Sequence, residues 1–321
     1  MAKLTVLILG GCGFVGRNLV TYLLDNGLIN SIVVVDKVPP QVAWLQLVIK
    51  LVQFKSANLI NKESCKSAFS LSDGSTWDLV VNCAGETKPG QTDPVYQEGI
   101  LKLLSINCAK QAALMNVGRY IELSSGNMNS YDKVPHKESD PLEPWGFIAK
   151  WKKEVEAQLS EIPNLKYTVL RLPLVYGLGD KHYITPRILA AAIYKELKKT
   201  MKLLWNEDLK VNTVHVEDVC RAILFLYEKE EAIGQIYKDP FQNLLADIFN
   251  VDVSYYGKMV SSVIDLESAT EEVNDQNLVP WVEACRRDAI ENTPLSPHMN
   301  SLLLQYKHLY LDDSKLKNFG L

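Results

Sequence analysis

No stretch of this 321-residue chain approaches the roughly 18 consecutive apolar residues of a membrane-spanning helix. The apolar run near the N-terminus covers only residues 4–9 and passes straight into a glycine-rich turn, so it reads as a strand rather than a secretory leader. Positive charge is not in excess either. The 34 Lys and Arg stand against 38 Asp and Glu, a net charge of −4, which excludes the basic stripe that a nucleic-acid backbone requires. The lysine-rich stretch 195–202 reads as the solvated face of one helix. The six cysteines, at 12, 65, 83, 108, 220 and 285, lack paired metal-ligand spacing. No metal site is expected, and the thiols are expected to be reduced in a cytoplasmic protein. Repeats and low-complexity tracts are missing as well. What remains, 47 % apolar and 22 % charged residues, is the composition of a folded globular protein with one large or two modest cores.

The first half of the chain alternates strands and helices. Apolar strands are predicted at 5–9, 32–35, 52–55, 79–82, 119–123 and 167–172, with helices at 15–26, 42–51, 96–115 and 152–160. Such alternation implies an α/β fold, a doubly wound parallel sheet with helices on both faces. The expected organisation is a Rossmann-type domain over 1–180 and a smaller, mostly helical substrate lobe over 181–321, where Pro186, Pro240, Pro280, Pro294 and Pro297 break up the pattern. Residues 210–240 are expected to return to the first domain, with the strand-helix segment 213–228 rejoining its sheet. The apolar segment 44–52 reads as buried beneath a helix and the third strand, in preference to a partner or membrane-surface patch.

The most informative segment is Gly10-Gly11-Cys12-Gly13-Phe14-Val15-Gly16, set between the first strand and an amphipathic helix. Twenty residues after Gly16 the second strand ends on Asp36. Strand, glycine turn, helix and acid in this register form a dinucleotide-binding fingerprint. The glycines let the backbone approach a pyrophosphate, the helix offers N–H groups and the positive end of its dipole, and Asp36 accepts hydrogen bonds from the adenosine ribose. An acid at this position repels a 2′-phosphate, so NAD is favoured over NADP, although the neighbouring Lys37 could partly accommodate the latter.

Further pieces follow in order: Ala57-Asn58-Leu59, Asn82-Cys83-Ala84-Gly85, Ile121-Glu122-Leu123-Ser124-Ser125, Leu170-Arg171-Leu172-Pro173-Leu174-Val175-Tyr176-Gly177, His215-Val216-Glu217-Asp218-Val219 and Leu311-Asp312-Asp313-Ser314-Lys315. Together with the glycine turn they resemble the extended short-chain dehydrogenase/reductase family of nucleotide-sugar epimerases, dehydratases and 3β-hydroxysteroid dehydrogenase-like enzymes, over nearly the whole chain. The resemblance implies that Gly10, Gly13, Phe14, Val15, Gly16, Asp36, Lys37, Asn58, Leu59, Ala84, Gly85 and Pro173 surround the cofactor. Asn58 stands for an acid that contacts the adenine amino group, and Pro173 approaches the nicotinamide.

The resemblance also implies a catalytic Ser at the end of the fifth strand, here Ser125 beside Ser124, and a Tyr-x-x-x-Lys pair on the next helix. One helical turn between the two places the ammonium beside the phenol, lowering its pKa from about 10, while the same lysine holds the nicotinamide ribose. That helix contains Pro144-Trp145-Gly146-Phe147-Ile148-Ala149-Lys150-Trp151-Lys152-Lys153 and no tyrosine. Lys152 fits best as the ribose clamp, with Ile148 in the tyrosine position; Lys150 and Lys153 would put Gly146 and Ala149 there. Tyr131 is the nearest substitute acid, ahead of His136, Tyr183 and His215. Asn127, His182 and Arg187 are substrate-side candidates together with Ser124.

Nucleotide-sugar members commonly carry Arg-Asp just ahead of the position of Thr213, where this chain has Val211-Asn212, a pattern closer to the hydroxysteroid and dihydroflavonol reductase branch. Arg286-Arg287 keep the nucleotide-sugar alternative open. The expectation is therefore an NAD(P)-binding oxidoreductase or epimerase acting on a hydroxyl or carbonyl carbon of a small molecule. The alternative is a catalytically silent dinucleotide-binding module. The sequence leaves a homodimer open and gives no nucleic-acid partner.

Overall fold

The computed structural model describes residues 3–43, 52–71, 74–88, 90–128, 132–203, 208–238, 241–242, 253–255, 265–299 and 307–321. Its strands are β1 (Leu4–Leu9), β2 (Ile29–Asp36), β3 (Gln53–Ser56), β4 (Leu79–Asn82), β5 (Arg119–Ser125), β6 (Tyr167–Leu172), β7 (Leu174–Tyr176), β8 (Met201–Leu203), β9 (Asn212–His215), β10 (Gln235–Lys238), β11 (Phe241–Gln242) and β12 (Val253–Tyr255). The α-helices are α1 (Phe14–Asp25), α2 (Pro40–Ala43), α3 (Lys62–Phe69), α4 (Asp93–Tyr96), α5 (Ile106–Leu114), α6 (Phe147–Leu159), α7 (Ile184–Glu196), α8 (Val216–Tyr227), α9 (Leu266–Arg287) and α10 (Ser314–Phe319). A π-helical stretch, Gln97–Ser105, joins α4 to α5.

Seven strands form one parallel sheet in the order β10-β6-β5-β4-β1-β2-β3. Strands buried on both faces must be apolar throughout, which is why Leu-Thr-Val-Leu-Ile-Leu and Leu-Val-Val-Asn lie at its centre. Side chains alternate between two cores. Val6, Ile8, Val34, Val81 and Ile121 meet α1 and α8 on one face, while Leu7, Leu9, Val33, Val35, Val80 and Tyr120 meet α3, α5 and α6 on the other. Helix α1 presents Gly16, Leu19, Val20 and Leu23 to the sheet, the spacing of one helical stripe. Strand order reverses between β1 and β4, and the crevice at such a switch point, beyond the carboxyl ends of the strands, is where α/β folds bind ligands.

The expected elements are present with shifted ends. Strand β5 extends to Ser125, and α6 begins at Phe147, after Gly146 at φ 78°. Of the helix expected at 42–51 and the apolar segment 44–52, all but the ends lies outside the described residues. One expectation is corrected: β9 does not rejoin the main sheet. It lies between β7 and β11 in a separate three-stranded sheet, because Pro173 interrupts the chain between β6 and β7 and a prolyl nitrogen cannot donate to a ladder. The chain returns to the main sheet through α8, which packs on α1 and β5, and through β10, which pairs with β6. Buried Arg119 secures that return by donating from Nη1 to the carbonyls of Leu226 and Lys229 at 2.9 and 3.0 Å. The C-terminal helix α10 sets Phe319 against Phe225 and Tyr237, at the β10 edge.

Candidate active site

A cavity of about 1020 Å³ opens at the switch point. It is lined by Gly10, Gly13, Phe14, Val15, Asp36, Lys37, Asn58, Leu59, Ala84, Gly85, Ser124, Ser125, Asn127, Lys152, Pro173, His182 and Arg187. Gly16 lies just behind its wall, and Tyr131 is outside the described residues. Drug-sized ligands occupy roughly 300–1,000 Å³, so this volume is on the scale of a dinucleotide.

The glycine turn is fixed by close backbone approach. Gly10 has φ 69°, and a Cβ there would come within 2.6 Å of the Ala84 backbone. A Cβ on Gly16 would lie 2.5 Å from the Gly10 carbonyl oxygen and 2.6 Å from the Gly11 Cα. Helix α1 therefore starts directly on the turn, its N-cap is Gly13, and no side chain caps its first amides. An uncapped helix N-terminus facing a cavity suits a pyrophosphate. Asp36 stands beside it, its Oδ2 accepting from the Cys12 amide and its Oδ1 from the Val38 amide, both at 3.0 Å. Burial and then Asp36 push the Cys12 thiol up to about 12. The side-chain oxygen of Asn58 accepts from the Ile60 amide at 3.2 Å, which holds the residue at the wall. These residues fit the adenosine and pyrophosphate portions of NAD.

The other end is built by β5, α6 and the loop after β7. Ser125 lies at the end of β5, where its Oγ accepts from the Asn127 amide at 3.2 Å. Ser124 points to the helix side instead, donating to Glu156 Oε1 at 2.6 Å, and Glu156 is clamped by Arg171 at 2.6 Å. Helical geometry sends the three neighbouring lysines in different directions. Lys150 donates to Asp93 at 2.9 Å and Lys153 to the Leu142 carbonyl at 3.4 Å, both outside the cavity. Lys152 lines the cavity, as does Ile148 one turn before it. The Lys152 ammonium lies 2.8 Å from Glu122 Oε1, a buried ion pair.

Several groups were missed or ranked low by sequence reasoning. Asp180 organises the loop after β7. Its Oδ1 accepts from the His182 and Tyr183 amides at 3.0 Å, and its Oδ2 from Ile184 and Thr185 at 2.8 and 2.9 Å, which caps α7 and sets Tyr183 and Arg187 at the wall. Burial raises the Tyr183 phenol above its usual range and lowers the Arg187 guanidinium to about 10. Arg17 ties α1 to this loop through the Gly179 carbonyl at 2.8 Å. Asp180, four residues before an apolar helix start, was the available signal. His215 caps α8 through the Glu217 amide and packs edge-on against Tyr176, and His136 bonds Asp132 at 2.8 Å; neither lines the cavity. Asn212 is buried and accepts from the Leu311 amide at 2.7 Å, so it anchors the C-terminal segment. Among the described residues there is no group of His, Cys, Asp or Glu suited to a metal, and no helix long and apolar enough to cross a membrane.

Comparison with known proteins agrees with this architecture. Residues 6–238 match the model of the NAD dependent epimerase/dehydratase family. A UDP-N-acetylglucosamine 4-epimerase from Methanobrevibacter ruminantium, solved with UDP-N-acetylmuramic acid, has a similar fold. Its TM-score is 0.70 at 16 % identity, over 100 % of this chain and 93 % of that one. UDP-glucose 4-epimerase from Thermotoga maritima, solved with UDP-glucose, superposes with a TM-score of 0.65 at 21 % identity, over 79 % of this chain and 85 % of that one. The Thermus thermophilus UDP-glucose 4-epimerase in complex with NAD gives a TM-score of 0.64 at 24 % identity, over 78 % and 86 % of the two chains.

Proposed function

Because the chain belongs to the NAD-dependent epimerase/dehydratase family, we propose that it binds NAD in the cavity at the switch point and acts as an oxidoreductase or epimerase on a hydroxyl or carbonyl carbon. The observation that carries this reading is convergence. The uncapped α1 terminus, Asp36, Ser125 and Lys152 come from four separate segments and line one cavity. Gly10, Gly13, Phe14, Val15 and Gly16 take the pyrophosphate, Asp36 and Lys37 the adenosine ribose, Asn58 and Leu59 the adenine, and Ala84, Gly85 and Pro173 the path to the nicotinamide. When bound, the nicotinamide supplies the hydride acceptor or donor. Ser125 orients the substrate oxygen, Lys152 holds the ribose, and Asn127, His182 and Arg187 face the substrate.

A proton must still move to or from the substrate oxygen, and Ile148 has none to give. Of the two described phenols that line the cavity, the Tyr96 hydroxyl is spent on the Lys88 carbonyl at 2.7 Å, which leaves Tyr183 as the candidate donor. General acid or base catalysis contributes roughly 10²–10⁴-fold, so loss of the usual phenol slows the reaction without forbidding it. The UDP-sugar epimerases this chain resembles in fold act on nucleotide sugars, but Val211-Asn212 in place of Arg-Asp and the aromatic lining of Trp145, Phe147 and Tyr183 favour a less polar alcohol or carbonyl substrate.

A second reading, a dinucleotide-binding module without turnover, is favoured by one observation: Ile148 lines the cavity one turn before Lys152. Fluorescence titration with NADH and NADPH, followed by a panel of alcohols, carbonyls and nucleotide sugars, separates the two. NADH binding tighter than NADPH with turnover supports the enzyme, and NADH binding without turnover supports the module. Tighter NADPH binding contradicts the assignment of Asp36, and absence of binding overturns both.

A further inference from the structure

An acid in the middle of a central parallel strand needs a reason. Glu122 is fully buried in β5, between Ile121 and Leu123, and four donors converge on its carboxylate. Its Oε1 accepts from Ser105 Oγ at 3.0 Å and from Lys152 Nζ at 2.8 Å, and its Oε2 from Asn82 Nδ2 at 2.7 Å and the Tyr120 hydroxyl at 2.9 Å. Asn82 also bonds Ser105 at 3.2 Å. The four donors arise from β4, β5, α6 and the residue that precedes α5, so the carboxylate is held from every side. A carboxylate accepts about four hydrogen bonds, and this one is saturated.

Building an isolated buried charge is costly, and a pair with complete hydrogen bonding reduces that cost without generally adding stability over an apolar core. The network therefore has to be explained by what it holds. Two of its members, Asn82 and Lys152, combine a bond to Glu122 with a position on the cavity wall, and of these Lys152 is the cation, with an ammonium that has donors to spare.

Resting on the NAD-binding reading above, we propose that Glu122 is a positioning residue that fixes the reach of the Lys152 ammonium toward the nicotinamide ribose and cancels its charge there. An ammonium has three donors, and one is committed to Glu122. The others serve ribose hydroxyls. A cation paired at this distance projects little net field onto a neighbour one helical turn away, so the lysine works as a hydrogen-bond donor and not as the activator of a phenol. Ile148 in the adjacent position is then consistent with its partner: both positions of the pair have been turned from proton chemistry toward holding the cofactor.

The test uses the full chain, with NADH and ADP as the two probes. ADP fills only the adenosine and pyrophosphate end, so it reports on fold and on the glycine turn. Lys152→Met is expected to weaken NADH binding by roughly tenfold or more, the value of a hydrogen bond from a charged group, and to leave ADP binding within about twofold. Glu122→Gln is expected to weaken NADH several-fold with ADP unchanged, and to add nothing further in the Lys152→Met background. The proposal is overturned if Glu122→Gln leaves NADH binding unchanged, lowers NADH and ADP alike, or keeps its full effect when Lys152 is already removed. Should Glu122→Gln fail to fold, Glu122→Asp keeps the charge and withdraws it by one methylene. Selective weakening of NADH there sustains the proposal, and equal loss of both probes refutes it. Failure of the unmodified chain to bind NADH would refute instead the NAD-binding reading on which this rests.

Discussion

The two ends of the cavity are built on different principles. At the end proposed for adenosine the backbone does the work: the Gly10 turn, the uncapped α1 terminus and the Asp36 carboxylate braced by the Cys12 and Val38 amides. At the end proposed for the nicotinamide side chains do it, and they are tied to one another: Lys152 to Glu122, Ser124 to Glu156, and Glu156 to Arg171. Backbone sites tolerate almost no change, because a Cβ has nowhere to go. Side-chain sites can be rewired while the fold stands. On the NAD-binding reading proposed above, this contrast explains how a chain can keep its dinucleotide cradle and still carry Ile148 where its family resemblance implies a phenol.

The largest effect expected from this contrast is at Gly10. Alanine there must adopt φ 69° and bring its Cβ to 2.6 Å from the Ala84 backbone, just beyond the ends of β1 and β4. Gly10→Ala should cost more than about 2 kcal/mol of stability and abolish binding of NADH and ADP together. Thermal melting and the two titrations check it. Retention of ADP affinity would show that the adenosine end is less dependent on backbone approach than the geometry implies. The opposite behaviour, loss of NADH alone, belongs to the nicotinamide end.

Ile148→Tyr sharpens the comparison from the other side. It places a phenol four residues before Lys152, on the same face of α6 and on the cavity wall. In the enzyme reading, turnover of a responsive substrate rises, but by less than the roughly 10²–10⁴-fold of full general acid catalysis, because on the proposal above Glu122 cancels the field of Lys152. Combining it with Glu122→Gln should then raise turnover further while NADH affinity falls. An Ile148→Tyr protein that folds, binds NADH and stays inactive across the panel would speak for the silent module.

The same division governs how much could be read from the sequence. The α/β architecture, the glycine turn and Asp36 were legible because backbone requirements write themselves into residue type at fixed spacing: glycine where a Cβ would clash, an acid at a strand end. The candidate lysine was legible as the best of three neighbours, Lys152 ahead of Lys150 and Lys153, and the rotation of α6 over β5 is what separates them in space, with Lys152 on the cavity wall. Glu122 carried a signal in its position between Ile121 and Leu123, but its partners come from residues 82, 105, 120 and 152 and are assembled by the sheet. The placement of β9 outside the main sheet followed from Pro173, a single residue whose effect on strand order depends on what lies alongside.

The smallest effect expected concerns Cys12, which sits in the glycine turn with its amide on Asp36. Its thiol is pushed up to about 12, first by burial and then by the Asp36 carboxylate. A free cysteine ionises near pH 8.5, and only the thiolate reacts, so alkylation of Cys12 in the native protein at pH 8 should be slower than that of a cysteine peptide by about 10³-fold. The sign follows from linkage. With the folded value above the unfolded one, the contribution of this thiol to stability is complete below about pH 8.5 and declines as pH rises toward 12. Peptide mapping after iodoacetamide treatment at pH 8 measures the rate. Modification of Cys12 at the rate of the peptide would mean that the turn opens to solvent in the absence of cofactor, and the contrast between a rigid adenosine end and a rewired nicotinamide end would fail at its rigid side.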